Sequence, residues 1–174
     1  EFPAKGAPFG VRALCEDSEG SLWAGTQASG LRRLRDVAFS TVTLGGKLED
    51  VWAVYEDRGK SLWFGTGDRG LFRWRAGQIT SYTTADGLPR NWVRAILEDR
   101  DGGLWVGTPS GLALLKNGRF QVWRRQDGLP DDYVRVIYED HDAALWIGTH
   151  GGLVRREGER FTVIGPADGL PLEH

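Results

Sequence analysis

Residues 144–156 read ALWIGTHGGLVRR, an apolar run broken by three glycines that looks at first like a loop built to cradle a phosphate. Three sister phrases change that reading. The units are VRALCEDSEGSLWAGTQASGLRRL at 11–34, VWAVYEDRGKSLWFGTGDRGLFRW at 51–74, VRAILEDRDGGLWVGTPSGLALL at 93–115 and VRVIYEDHDAALWIGTHGGLVRR at 134–156. Trp23, Trp63, Trp105 and Trp146 recur about every 41 residues, and the GT pairs that begin at Gly25, Gly65, Gly107 and Gly148 keep the same register. Four copies of one unit account for nearly the whole chain, and their glycines read as turn residues.

Each unit divides into four strand-like runs. The first, residues 93–98 in the third copy, is apolar and ends at ED before a polar turn. The second is LWxGT, the third follows the turn that closes on GL, and the fourth pairs Phe39 with Val42, Ile79 with Tyr82, Phe120 with Trp123 and Phe161 with Ile164. No helical period is present. DGLP at 86–89, 127–130 and 168–171 separates the units, with LGGKLED at 44–50 in the first junction. Tandem four-stranded units of this length predict an all-β fold, a β-propeller with four blades of four antiparallel strands per chain. The expected division is a lead-in at 1–10, blades at 11–50, 51–92, 93–133 and 134–171, and a possible tag remnant at 172–174. An open arc leaves two blade faces bare, so the chain is expected to close as a four-bladed ring or, by dimerisation, as an eight-bladed one.

Composition narrows the partners. Lys+Arg 22 against Asp+Glu 24 gives a net charge of -2, with no basic surplus for a nucleic-acid backbone. No apolar run approaches the roughly 20 residues that span a bilayer, so direct membrane insertion is not expected. The single Cys15 allows no internal disulfide and no cysteine cluster. It aligns with Tyr55, Leu97 and Tyr138 and reads as a core residue. Eight Trp and 25 Gly without Met suit stacked sheets.

The phrase LWxGTxxGL, preceded by ED and followed by DGLP, resembles the two-component regulator propeller repeat over about residues 11–171. That resemblance implies the extracytoplasmic, periplasmic sensor region of bacterial hybrid histidine kinases and related signalling proteins. Such regions usually have seven blades and a following β-sandwich, and they pass their signal to neighbouring receptor domains. Only four blades are present here, which makes a homodimer the expected assembly.

Several motifs invite chemistry. GTGDRG at 65–70 formally matches a dinucleotide fingerprint, but strand and turn follow it where a helix is required. Glu16/Asp17, Glu56/Asp57, Glu98/Asp99 and Glu139/Asp140 recur at a tight turn, where an Asp caps backbone amides, rather than forming one catalytic or calcium site. His141 and His150 lack acids at zinc-ligand spacing, and no nucleophile motif is present. Catalytic residues, metal and cofactors are therefore expected to be none, with a propeller lyase using His150 as the enzymatic alternative.

The second position of the first strand carries Arg12, Trp52, Arg94 and Arg135. In a propeller this column rings one mouth of the channel. Two-residue alternation then predicts an apolar waist of Leu14, Val54, Ile96 and Ile137 and an acidic far mouth of Glu16, Glu56, Glu98 and Glu139. With Trp92, Tyr133 and His150, the basic column makes a candidate ligand-binding site, its variable rim supplied by Gln27, Asp68, Arg69, Asn91 and Asp132. Guanidiniums beside indoles suit a carbohydrate ligand, an acidic saccharide above all. The alternative role for the whole chain is a structural, self-assembling propeller module.

Overall fold

The computed structural model describes residues 10–35, 38–41 and 50–170. Blade 1 contains β1 (Val11–Glu16), β2 (Leu22–Thr26), β3 (Leu31–Arg35) and β4 (Ala38–Thr41). Blade 2 contains β5 (Val51–Glu56), β6 (Leu62–Thr66), β7 (Leu71–Arg75) and β8 (Gln78–Tyr82). Blade 3 contains β9 (Ala95–Glu98), β10 (Leu104–Thr108), β11 (Gly111–Lys116) and β12 (Arg119–Trp123). Blade 4 contains β13 (Val134–Glu139), β14 (Leu145–Thr149), β15 (Gly152–Glu157) and β16 (Arg160–Ile164). Every sheet runs in sequence order with antiparallel neighbours, the arrangement of β-propeller blades. Of the expected fourth-strand pairs, Val42 lies outside the described residues.

The first strand departs from simple alternation at its start. Pairing slips between Val11 and Ala13, between Val51 and Ala53 and between Val134 and Val136. In blade 3 the strand begins at Ala95, two residues later than its sequence suggests, because the Val93 amide donates to Thr66 O of blade 2. Arg12, Trp52, Arg94 and Arg135 therefore sit at an irregularity, where a backbone kink re-aims the side chain.

Packing runs blade to blade. Trp23 and Leu31 of blade 1 meet Val51, Val54, Phe64 and Phe72 of blade 2. Trp63 and Leu71 meet Val93, Leu104 and Val106 of blade 3, and Trp105 and Leu112 meet Val134, Ile137 and Ile147 of blade 4. Two of the linkers add a plug to these cores: Leu88 and Leu129 are buried, each held by a short 3₁₀ turn, Thr84–Asp86 or Arg125–Asp127, that ends on a left-handed glycine. At Gly87 (φ 100°) and Gly128 (φ 108°) a side chain would be strained.

The two ends of the stack are bare. Val11 and Leu14 of blade 1 are 56% and 61% exposed, and Val136 and Tyr138 of blade 4 are 55% and 61% exposed. Their equivalents Val51, Val54 and Ala53 are buried. Among the described residues, the outer faces of blades 1 and 4 are therefore not buried against each other.

Candidate functional site

Each ED–W phrase builds one turn. Asp17 Oδ1 accepts the amides of Glu19 and Ser21 at 3.0 and 2.7 Å, while its Oδ2 accepts the Trp23 indole N–H at 2.7 Å. Asp57, Asp99 and Asp140 take the indoles of Trp63, Trp105 and Trp146 at 2.7, 2.6 and 2.7 Å. Burial pushes the Asp17 carboxyl up, but the Trp23 indole and the turn amides outweigh it and leave the group below the ordinary value. The Trp146 indole, against a smaller effect of burial, likewise holds Asp140 low. The capping role expected of the Asp in each carboxylate pair is what these bonds show.

The Glu of three of the four pairs corrects another expectation, that of an acidic mouth. Glu56 accepts from Ser18 N and Oγ at 2.9 and 2.7 Å, Glu98 from Arg58 N at 2.7 Å and Glu139 from Arg100 N at 3.1 Å. These are staples between successive blades, not a free acidic mouth. The supposed apolar waist is also part of the joints, since Val54 and Ile137 are buried in the cores between blades and Ile96 packs against another.

At the opposite end of the first strands the predicted basic column converges. The Arg12 guanidinium lies 3.4 Å from the Trp52 ring centre and that of Arg94 lies 4.5 Å from it. Arg94 also approaches the rings of Trp92 and Tyr133 at 5.5 and 5.4 Å and donates from Nη1 to the Tyr133 hydroxyl at 2.7 Å. Tyr133 stacks on His150 at 3.9 Å, and Arg135 lies 5.8 Å from the Tyr133 ring. Trp52 meets Trp92 edge-on at 5.2 Å, and Trp92 meets Tyr133 at 6.2 Å. One continuous arginine–aromatic ladder therefore joins Arg12, Trp52, Trp92, Arg94, Tyr133, Arg135 and His150.

Its charges are unevenly satisfied. Arg12 Nε stands 3.1 Å from Asp50 Oδ1, an ion pair not aligned as a hydrogen bond, and Asp50 Oδ2 accepts the Trp52 indole at 2.8 Å. Among the described residues no carboxylate pairs with Arg94 or Arg135. The buried Trp92 indole N–H has no protein acceptor among them. Leaving such a donor unmet costs about 1–3 kcal/mol.

The rim is smaller than expected. Asn91 Oδ1 accepts the Thr84 amide at 2.9 Å and Asp132 Oδ1 accepts the Arg125 amide at 2.7 Å, so both tie down linkers. Gln27, Asp68 and Arg69 are exposed in the turns between second and third strands. Sequence reasoning missed Asp50, whose signal was its alignment with Trp92 and Tyr133 just before the first strand. It also missed why GTGDRG has its middle glycine: a Cβ on Gly67 would meet Asp50 Oδ2 at 2.5 Å and Trp52 Nε1 at 3.1 Å. That glycine makes room for the ladder.

Elsewhere the chemistry is sparse. Burial raises the Cys15 thiol, in keeping with its place against the first core. His141 is exposed and pairs with Asp142 at 3.3 Å. No cluster of three His, Cys, Asp or Glu side chains among the described residues could hold a metal ion. A groove between blades 1 and 2, lined by Asp17, Glu19, Arg33, Glu56 and Lys60, lies at the turn end of the strands, away from the ladder. Asp17 and Glu56 there are already engaged in the turn and the staple.

A stack of four-stranded blades with a polar–aromatic face at the start of its first strands defines a β-propeller. Residues 10–28, 87–110 and 128–151 match the family described as two component regulator propeller. No curated protein matches the chain. Among solved structures it is similar to the extracellular domain of a hybrid two component system from B. thetaiotaomicron, with 26% identity and a TM-score of 0.82 over 91% of this chain and 23% of that one. A second such domain from B. thetaiotaomicron gives 22% identity and a TM-score of 0.74 over 92% of this chain and 25% of that one. The chain spans about a quarter of each of these domains. A catalytically inactive virginiamycin B lyase from Staphylococcus aureus, solved with quinupristin, shares the fold at 19% identity and a TM-score of 0.74, over 91% of this chain and 56% of that one.

Proposed function

We propose that this chain is part of a periplasmic, non-catalytic sensor propeller and that its arginine–aromatic ladder binds an acidic saccharide. One observation carries the reading: Arg94 and Arg135 have no carboxylate partner among the described residues, yet both face an aromatic surface of Trp52, Trp92, Tyr133 and His150. A carboxylate or sulfate matches the forked guanidinium donors, and a sugar ring matches the indole faces. Arg12, already neutralised by Asp50, positions Trp52. The similarity to extracellular two-component domains supports the compartment and the role. Signalling follows if the ligand prefers one arrangement of the propeller and its neighbouring domains, since only such a preference shifts an equilibrium.

The test is calorimetry and Trp fluorescence against matched acidic and neutral oligosaccharides. Binding is expected for the acidic series, and Arg135→Ala, at an exposed position, weakens it about tenfold through loss of one charge-assisted contact. Arg94→Ala abolishes it. Equal binding by wild type and both variants overturns the site, and a cleavage activity lost in His150→Ala overturns the non-catalytic reading.

A further inference from the structure

The residue after ED makes the polar staple to the next blade, and it is an arginine at two joints but a serine at the first. Arg58 of blade 2 donates from its backbone amide and from Nε to Glu98 Oε2 at 2.7 and 3.2 Å. Its guanidinium goes on to two turn carbonyls of blade 3, Asp99 O and, at 2.9 Å, Arg100 O. Arg100 repeats this on blade 4: Nε lies 3.7 Å from Glu139 Oε2, while Nη2 and Nη1 donate to Asp140 O and His141 O at 2.5 and 2.6 Å. One guanidinium thus bridges a carboxylate and two carbonyls at each of these joints. Asp99 O and Asp140 O accept it in addition to a turn amide, that of Gly102 or Ala143.

Blade 2 presents the same acceptors to blade 1. Asp57 O takes the Lys60 amide at 2.8 Å, which leaves one lone pair, and Arg58 O and the Glu56 carboxylate complete the set. Ser18 Oγ ends on Glu56 Oε1 at 2.7 Å, and a serine is too short to go on to the carbonyls. The arginines of β3 are turned elsewhere, Arg33 donating to Ser21 Oγ at 2.9 Å and Arg35 to Glu19 Oε2 at 3.2 Å. Beside Ser18 and Glu56 the groove between blades 1 and 2 stays open, walled by Trp23, Leu62 and Trp74.

We propose that this joint binds an arginine side chain presented by a peptide, its guanidinium seated on Asp57 O and Arg58 O against Glu56 and its flanking residues in the groove. The occupant is a guanidinium because that group fills the same acceptors at both sister joints, and its planar fork meets them as a compact ammonium does not. Arg33, Lys60 and Arg75 also line the groove, so recognition rests on the fork rather than on net charge. The source is a peptide because the groove runs on past the acceptors to Leu62 and the two indoles. The site lies at the far end of the strands from the ladder and is independent of the saccharide reading.

The test follows backbone amide shifts of the 174-residue chain as acetyl-Leu-Arg-Leu-amide is added. Saturable shifts are expected at Ser18 and at residues 57–60, with an affinity about tenfold above that of the same peptide carrying neutral citrulline or lysine, the effect of one charge-assisted bond. Free arginine is expected to bind more weakly than the peptide. Ser18→Arg supplies the guanidinium from within, so it should abolish the shifts and raise the midpoint of thermal unfolding. Absence of saturable shifts, equal binding of the citrulline or lysine peptide, tighter binding of free arginine, or shifts that persist in Ser18→Arg each overturns the proposal. Should that variant fail to fold, the comparison of arginine with citrulline on the wild type decides.

Discussion

At the scale of the residue, the Asp that ends each first strand does the structural work of the motif, and its titration should be measurable. Burial raises the Asp17 carboxyl, yet the Trp23 indole and the turn amides bring it below its ordinary value. A carboxyl depressed in the folded state contributes stability above its unfolded pKa and loses it as pH falls through the folded one. Trp23→Phe removes the indole donor. Its destabilisation in urea titrations should therefore be larger at pH 6 than at pH 3, and a gap that does not change with pH would show that the bond contributes nothing. Gly67 is the other decisive single residue. Gly67→Ala places a methyl against Asp50 and Trp52, so it should disturb Trp52 fluorescence and weaken the binding of acidic saccharide proposed above without unfolding the blade.

At the scale of the element, the GT glycine corrects the reading of every glycine as a turn. Gly25, Gly65, Gly107 and Gly148 lie inside second strands, and the first three give room to a valine of the next blade. Turn-making belongs instead to Gly30, Gly70, Gly111 and Gly152, which have positive φ. Thr26 and its equivalents brace those turns by donating to the carbonyl of that second glycine. Gly65→Ala should cost about 1–3 kcal/mol by overpacking against Val93. Val93→Ala in the same chain should return part of that loss, and a double-mutant cycle in urea reads the coupling. Strictly additive effects would mean that the two residues do not share a joint.

At the scale of the whole molecule, stability resides in the joints, because a blade buries its faces only against its neighbours. In this chain, amides of β1 and β13 should exchange faster than those of β5 and β9, whose blades are covered on both faces. Uniform exchange across the four blades would argue against end faces that lack a partner.

The repeat itself, its period and the order of its strands were legible in the sequence, because turn chemistry and alternation are local and recur four times. The column of Arg12, Trp52, Arg94 and Arg135 was legible too, and the structure brings it beside Trp92, Tyr133 and His150, since one position of a repeat gathers at one face when the units stack. Other assignments depended on neighbours. Glu16, Glu56, Glu98 and Glu139 read as a channel mouth, yet three of them are staples, because the partner of each lies about 40 residues away in another blade. Asn91 and Asp132 read as a rim, yet each reaches back seven residues to hold a linker. Asp50 was hidden in the one junction that departs from the pattern. The sequence by itself determined what a blade is. Only the tertiary structure decided which side of each strand a kink would aim, which glycine receives a valine, and that the two ends remain uncovered, because those depend on atoms that meet only when blades pack.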